Sequence, residues 1–146
     1  MERFNNSFIL SRKRTISTGQ PKSCCNSSLI CTRQNKSGEE INQCTIYGLA
    51  YTIINSGSKP LTLNISNTLF GGFQSGQTVK GYEEGTTVNS SENVYTASDS
   101  PFHSNALGEC LTITSAELFN APAAVDGDFT VKIDTYKTYG DQRWNK

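Results

Sequence analysis

Alternation of apolar and polar residues with a period of two is the clearest pattern in this chain. Residues 61–66 alternate strictly, with leucine and isoleucine on one face and Thr, Asn and Ser on the other. Residues 128–139 begin in the same way, and residues 44–54 form an almost continuous apolar run rich in β-branched and aromatic types. Strict alternation is typical of half-buried strands, and a short apolar run is typical of a fully buried one. These segments therefore predict β-strands.

Glycine and proline mark turns between the predicted strands. Gly57 and Pro60 separate the two strongest ones, and glycines recur at short intervals through residues 71–85. Regular turn spacing of this kind is typical of all-β folds with short strands. We therefore predict some six to eight strands over residues 40–140, arranged as a single antiparallel β-sandwich of immunoglobulin-like or jelly-roll-like type, with little helix. The sequence shows no evident internal repeat with a period of about 20–50 residues.

The composition agrees with an all-β class. Ser, Thr and Asn together make up 46 of the 146 residues, whereas 35% of the chain is hydrophobic and 18% is charged. Short polar side chains compete with helical hydrogen bonds and favour strands and turns. No apolar run approaches the roughly 20 residues that a membrane-spanning helix needs, so we expect no membrane partner.

The formal net charge of zero conceals two oppositely charged parts. Residues 1–36 hold seven basic residues and one acid, a net charge of +6, and residues 37–146 hold six basic residues and twelve acids, a net charge of −6. An asymmetry of this kind predicts a basic arm joined to an acidic body. We place an extended basic N-terminal arm at residues 1–40, the β-sandwich at 41–140 and a polar C-terminal tail at 141–146.

The predicted arm contains residues suited to docking on another surface. It lacks the apolar core of a secretory signal, and a mitochondrial transit peptide is the rival interpretation of its Arg- and Ser-rich stretch. Apolar side chains can anchor such an arm while basic ones steer it toward an acidic surface. The candidate docking residues are Phe4, Phe8, Ile9, Leu10, Arg12, Lys13 and Arg14.

The sequence offers little catalytic chemistry. The single histidine, His103, lies in a polar stretch that predicts a loop, and the adjacent Glu83 and Glu84 would point to opposite faces of an extended segment. Neither arrangement provides the paired groups that nucleophilic or glycosidic catalysis requires. The Asp126-Gly-Asp128 turn lacks the pattern of a calcium-binding loop. We therefore predict no catalytic residues, no metal site and no cofactor, and a protein that is not an enzyme.

The cysteines fit neither a disulfide framework nor a regular zinc motif. Their number is odd, two of them are adjacent and no C-x₂-C knuckle occurs. Disulfides are rare without export, and adjacent ligands suit a tetrahedral site poorly. We interpret them as small buried thiols, with a zinc site as the alternative. The five are Cys24, Cys25, Cys31, Cys44 and Cys110.

Two resemblances bear on fold and function. Residues 51–65, Tyr-Thr-Ile-Ile-Asn-Ser-Gly-Ser-Lys-Pro-Leu-Thr-Leu-Asn-Ile, resemble a strand–turn–strand pattern common in immunoglobulin-like domains. The basic arm and the Ser/Thr/Asn/Gly-rich body resemble in style the small β-sandwich accessory proteins of tailed-bacteriophage virions, of the decoration or head-fibre type. This likeness implies a structural role, and no functional residue is carried over from it.

These observations lead us to expect a non-enzymatic structural protein of a large assembly. The expected role is that of an accessory capsid- or tail-associated virion protein, assembled in the host cytoplasm. Its expected partners are other structural proteins and copies of itself, contacted through the arm. Nucleic acid is a further candidate partner, although the arm lacks the interleaved aromatics that stack on single strands. The alternative function is a glycan-binding, adhesin- or lectin-like β-sandwich with candidate aromatic platforms at Tyr82, Tyr95, Phe102 and Trp144.

Overall fold

The structure is a computed structural model. It describes residues 2–5, 8–10, 28–31, 38–49, 52–55, 61–73, 76, 78–96, 98–123 and 127–145. Strands dominate these residues, which also contain a single turn of α-helix and two short 3₁₀ helices. The all-β fold class predicted from the sequence is therefore confirmed.

Fifteen strands follow one another along the described residues. The first seven are β1 (Glu2–Asn5), β2 (Phe8–Leu10), β3 (Ser28–Cys31), β4 (Gly38–Asn42), β5 (Thr45–Tyr47), β6 (Thr52–Asn55) and β7 (Leu61–Ser66). The next six are β8 (Leu69–Gly71), β9 (Val79–Tyr82), β10 (Thr86–Ser91), β11 (Val94–Thr96), β12 (Phe102–Ser104) and β13 (Glu109–Leu111). The chain continues with helix α1 (Ser115–Leu118), β14 (Phe119–Ala121), β15 (Asp128–Val131) and 3₁₀ helices at Asp134–Tyr136 and Gln142–Trp144.

The first thirteen strands form three parallel sheets. Sheet A has the order β1-β4-β7-β10, sheet B the order β2-β5-β8-β11-β13, and sheet C the order β3-β6-β9-β12. From β1 to β12 the chain visits A, B and C in turn, and β13 then adds a fifth strand to sheet B. Each inner strand therefore hydrogen-bonds to the strands one turn before and one turn after it. This arrangement is a parallel β-helix, in which stacking of successive turns buries a continuous core.

The predicted single antiparallel β-sandwich is not the arrangement found. Of the eleven strand pairings in the part of the chain that the structure describes, ten are parallel, and β14 with β15 is the antiparallel one. Strand β7, which the alternating pattern identifies correctly, pairs in parallel with both β4 and β10. Alternation reports that one face of a strand is buried, and it carries no information about the direction of the neighbouring strands.

In sheets A and B the pairings from β4 to β11 repeat every 24 or 25 residues, although the sequence shows no evident repeat. Asn64 lies beside Asn89 in sheet A, for example, at a separation of 25 residues. At the corner between sheets A and B, the equivalent residues Gln43, Asn67 and Glu92 have φ of 49°, 50° and 52°. This left-handed conformation is uncommon outside glycine. The repeat is therefore one of backbone conformation and polarity more than of residue identity.

Apolar side chains fill the space that the three sheets enclose. Ile46, Phe70 and Tyr95 occupy one register position of sheet B in three successive turns, and Ile41 and Ile65 do the same in sheet A. Each turn thus adds a layer of inward-facing side chains to the layer before it. The buried members of this core are Ile41, Cys44, Ile46, Leu49, Leu63, Ile65, Phe70, Val79 and Leu107.

A buried asparagine ties consecutive turns together at the corner between sheets A and B. Asn93 Oδ1 accepts a hydrogen bond from the Thr68 backbone N–H at 2.9 Å. Its Nδ2 donates to the Ile65 carbonyl at 3.0 Å and to Ser90 Oγ at 2.9 Å. Thr68 and Cys44 hold the same corner position in the two preceding turns, and each donates to the carbonyl two residues earlier. Side chains thus supply hydrogen-bond partners to backbone groups at this corner.

The C-terminal segment, from α1 onward, covers the outer face of sheet B. Leu69 and Val94 face outward from the sheet and are buried against Phe119, Phe129 and Val131. Sheet B is therefore apolar on both faces, as parallel sheets usually are. The strand predicted over residues 128–139 ends at Val131 and is followed by a 3₁₀ helix.

Backbone hydrogen bonds fasten this segment to the β-helix. The Gly140 N–H donates to the Asn67 carbonyl at 2.7 Å, and the Asp141 N–H donates to Thr45 Oγ1 at 3.0 Å. Asp141, within the predicted tail, is 1% exposed, and Nε of Arg143 donates to both of its carboxylate oxygens at 2.9 Å. This hydrogen bonding raises the pKa of the Arg143 guanidinium.

Replacing Asn93 with alanine tests the corner. The Thr68 N–H and the Ile65 carbonyl would lose their side-chain partner in a buried position. Each unsatisfied buried group costs about 1–3 kcal/mol, so we expect N93A to lower the free energy of unfolding by about 2–4 kcal/mol. The measurement is urea denaturation of the full-length chain followed by circular dichroism.

The matched control is N89A, which removes an exposed asparagine from the same turn. Asn89 makes one side-chain hydrogen bond, to Asn64 Oδ1 at 2.8 Å. We expect N89A to lower the free energy of unfolding by about 1 kcal/mol or less, because exposed groups are rehydrated. Equal destabilisation by the two variants would contradict the role assigned to Asn93.

Candidate functional site

The apolar docking residues predicted from the sequence lie in the first turn of the β-helix. Phe4 is in β1, where it pairs with Ile41 of β4. Phe8–Leu10 form β2, and Ile9 pairs with Ile46 of β5. Arg12, Lys13 and Arg14 lie outside the described residues. Contact of the N-terminal segment with a neighbouring molecule stays a prediction.

The N-terminal end of the β-helix is formed by three strand edges. Strands β1, β2 and β3 are the first strands of sheets A, B and C, and within the described part of the chain each has a neighbouring strand on one side only. An edge strand presents a row of backbone N–H and C=O groups that another strand can pair with. The three edges face the same way, because β1, β2 and β3 pair on their other side with β4, β5 and β6, the strands of the next turn.

The opposite end is formed by the last strand of each sheet, β10, β13 and β12. Here the inward positions of sheet A are only partly covered, since Val88 is half-buried and Ser90 is exposed. Their counterparts one turn earlier, Leu63 and Ile65, are 0% and 1% exposed. We call this surface the open end, and it consists of Val88, Ser90, Tyr95, Phe102 and Cys110.

Aromatic rings form the floor of the open end. Phe102 contacts Phe70, Phe73 and Tyr95 edge to face, with ring centroids 5.4, 5.0 and 5.0 Å apart. Tyr95 and Phe102 are half-buried, whereas Phe70 is fully buried one layer below. Rings packed in this way are held in fixed positions and leave a firm, partly apolar surface.

The exposed thiol of Cys110 lies at the same register position as Tyr95. Burial, together with a hydrogen bond to Cys110, raises the pKa of the Tyr95 phenol. Tyr95 is thus neutral at physiological pH, and the floor of the open end carries no charge there.

A rim of acidic residues surrounds the open end. Glu84, Glu92 and Glu109 are exposed. Oε2 of Glu83 forms a salt bridge with Nζ of Lys80 at 3.7 Å. Residues 79–111, which run from β9 to β13, hold five acids and one lysine, a net charge of −4. The open end therefore combines an apolar floor with a negative rim.

The outer face of sheet A carries a polar ladder, formed by Asn42, Asn64, Ser66, Asn89 and Ser91. Asn89 Nδ2 donates to Asn64 Oδ1 at 2.8 Å, and Ser66 Oγ donates to Asn42 Oδ1 at 3.0 Å. A shallow groove of about 560 Å³ runs along β7 and β10 and is lined by the last four of these residues together with Ile65, Val88 and Ser90. Amide and hydroxyl groups of this kind can form hydrogen bonds with a polar ligand.

The remaining candidate residues are dispersed. His103 is exposed in β12. The Asp128 carboxylate accepts hydrogen bonds from Asn120 Nδ2 at 2.6 Å and from the Thr130 N–H at 3.0 Å. These two hydrogen bonds lower the pKa of Asp128. Trp144 packs on Phe129, with ring centroids 5.6 Å apart. Trp144 therefore lies on the outer face of sheet B, away from Tyr95 at the open end.

The described residues contain neither a metal-binding cluster nor a membrane-spanning helix. Across the described ranges, no three His, Cys, Asp or Glu side chains are grouped closely enough to hold a metal ion. None of the described helices is long and apolar enough to cross a bilayer. Of the cysteines whose side chains are described, Cys44 is buried, as expected, and Cys110 is exposed.

The open end was not identified from the sequence, because its residues come from separate segments. The 24- or 25-residue repeat is the signal that locates it. Val88 follows Leu63, and Tyr95 follows Phe70, each one turn further along the chain. In this alignment β10 and β12 have no successor within the described residues, and β13 is the last strand of sheet B.

Selective modification of Cys110 tests the exposure of the open end. In a C24S/C25S/C31S variant, which retains two cysteines, we expect a maleimide to label Cys110 under native conditions and Cys44 only after denaturation. The reason is that the thiol must reach solvent to react, and Cys44 is 0% exposed. Labelling is measured by mass spectrometry of proteolytic fragments. Equal native labelling of both cysteines would contradict the described packing.

Comparison with known proteins adds no relative. The chain matches no protein-family model, no curated protein and no solved structure. Its function is therefore inferred from its own residues and geometry.

Proposed function

We propose that this chain is a non-enzymatic structural protein of a larger assembly, an accessory capsid- or tail-associated virion protein that docks through its N-terminal end. One observation carries the proposal. All three sheets of the β-helix begin within residues 1–36, the segment that holds the net charge of +6. Strand edges and positive charge are thus combined in one segment of the chain.

Strand edges supply the attachment. A partner strand added to β1, β2 or β3 forms main-chain hydrogen bonds along its whole length, and these bonds depend little on side-chain identity. Three edges from one turn offer three such pairings at once, so the orientation of the partner is defined as well as its position. This geometry suits permanent attachment of a rigid module to a large particle.

The positive charge supplies the steering. A net charge of +6 within 36 residues attracts an acidic partner surface and speeds association. The effect is screened over about 8 Å at physiological ionic strength, so it acts mainly at close approach. The apolar residues Phe4, Phe8, Ile9 and Leu10 add burial to the same contact, which offsets the cost of ordering the segment.

Charge reversal within the arm tests the proposal. We expect full-length R12E/K13E/R14E, expressed with a C-terminal tag in its source cells during particle production, to be depleted at least about tenfold from the fast-sedimenting particle fraction. The substitutions change the net charge of residues 1–36 from +6 to 0, so the arm would lose its attraction to the acidic partner surface that the proposal requires. The measurement is sucrose-gradient sedimentation with immunoblotting.

The matched control is K59E/K137E/K146E, which changes the net charge by the same amount outside the arm. It should sediment with particles as the unmodified chain does. Equal incorporation of the arm variant and the control would contradict N-terminal docking, and an unmodified chain confined to slow fractions would contradict the assembly role. Release of the chain by nuclease would assign the arm to nucleic acid instead.

A second candidate function, a glycan-binding module, is favoured by the polar ladder on sheet A. The groove along β7 and β10 presents Asn64, Ser66, Asn89 and Ser91, whose amides and hydroxyls can pair with sugar hydroxyls. The ladder replaces the aromatic platform considered from the sequence. Tyr95 and Phe102 contribute instead to the packed floor of the open end.

Glycan-array binding of the full-length chain tests this candidate. If sugars bind in the groove, N64A/N89A should lose signal by about tenfold or more, because two hydrogen-bonding side chains are removed. The control is N120A, which removes an exposed asparagine from β14, outside the groove. Binding that is equal in both variants, or no binding by the unmodified chain, would contradict a glycan site in this groove.

A further inference from the structure

We infer that the open end of the β-helix accepts the N-terminal end of a second copy of this chain, so that copies stack head to tail. The inference rests on the proposed function, because it names the acceptor surface for the docking segment. It goes further in assigning that surface to Val88, Ser90, Tyr95, Phe102 and Cys110 with the acidic residues around them. The partner is thus identical to the chain itself.

Strand direction permits this stacking. Sheet A has the order β1-β4-β7-β10, and every neighbouring pair in it is parallel. In a second copy placed beyond β10, strand β1 would lie beside β10 and run parallel to it, as β4 runs parallel to β1, and its β3 would follow β12 in the same way. In sheet B, where β13 adds a fifth strand over β11, the incoming β2 would follow β13, one strand further out than β1 and β3.

The apolar floor of the open end supplies burial. Val88, Tyr95 and Phe102 are half-buried at inward positions, whereas the equivalent Leu63 and Phe70 one turn earlier are fully covered. A further turn laid over this floor would complete the layer as β10 completes the one below it. The first turn has the composition for this role, since β2 consists of Phe8, Ile9 and Leu10.

Electrostatic complementarity identifies the second copy as the occupant. Residues 79–111, which run from β9 to β13, carry a net charge of −4, and residues 1–36 carry +6. Glu84, Glu92 and Glu109 are exposed around the floor that the incoming segment would cover. Opposite charges at the two ends favour head-to-tail contact and disfavour head-to-head contact, in which like charges would meet.

The resulting contact is heterologous, because it joins two different surfaces of the same chain. Such contacts produce open stacks unless a rotation closes them into a ring. We therefore expect the full-length chain to form oligomers whose mean size rises with protein concentration. Raising the salt concentration should reduce their size, because screening weakens the attraction between the two ends.

Paired charge reversal provides the test. E84K/E92K changes the net charge of residues 79–111 from −4 to 0, and R12E/K13E/R14E changes that of residues 1–36 from +6 to 0, so in each variant the attraction between the two ends is lost. We expect each variant by itself to associate at least about tenfold more weakly than the unmodified chain. An equimolar mixture should recover pairwise association, because the unmodified arm of E84K/E92K meets the unmodified open end of R12E/K13E/R14E. Sedimentation velocity of the full-length chains under reducing conditions measures this.

The matched control is D126K/D134K, which changes the net charge by the same amount as E84K/E92K away from the last turn. It should associate as the unmodified chain does, and circular dichroism should show that every variant retains its β content. A monomeric unmodified chain, an E84K/E92K variant that associates normally, or a mixture that stays dissociated would overturn the inference. None of these results decides whether the N-terminal end docks on a particle, because the sucrose-gradient sedimentation experiment tests that point independently.

Discussion

Parallel hydrogen bonding between successive turns is the constraint on which the rest of this structure depends. Each strand of sheets A, B and C finds its partner one turn away, about 24 residues along the chain in the middle of the β-helix. Backbone polar groups inside a fold must be paired, so every turn has to repeat the backbone path of the turn before it. The corner residues Gln43, Asn67 and Glu92 show the consequence, because all three keep one left-handed conformation although their side chains differ.

The sides and the ends of the β-helix meet water in different ways. Sheet A exposes its polar ladder, and sheet B is covered by the C-terminal segment, which Gly140 and Asp141 fasten in place. The two ends differ from the sides, since each end consists of strand edges and of a layer that has a neighbouring turn on one side only within the described residues. The positive charge of the chain is concentrated in its first 36 residues and much of its negative charge in the last turn. Both functional proposals follow from this distribution.

Strand positions were predictable from the sequence where alternation is strict, and strand partners were not. Residues 61–66 form β7 as predicted. The strand predicted from residue 128 stops at Val131, since the chain then turns to cover sheet B. Phe102 belongs to a polar stretch that reads as a loop, yet its ring contacts three other aromatic rings. The open end, the candidate acceptor surface, depends on strand pairing and could not be located before the turns were aligned.

The sequence by itself determined the all-β class, the charge separation and several strands, because these depend on local composition and on neighbours two residues apart. Only the tertiary structure decided that the strands pair in parallel, that a polar asparagine at position 93 is buried, and that Tyr95 and Cys110 share one surface. The physical reason is that pairing joins residues some 15 to 37 positions apart. The choice among such pairings is made by the combined burial and hydrogen bonding of all the turns together.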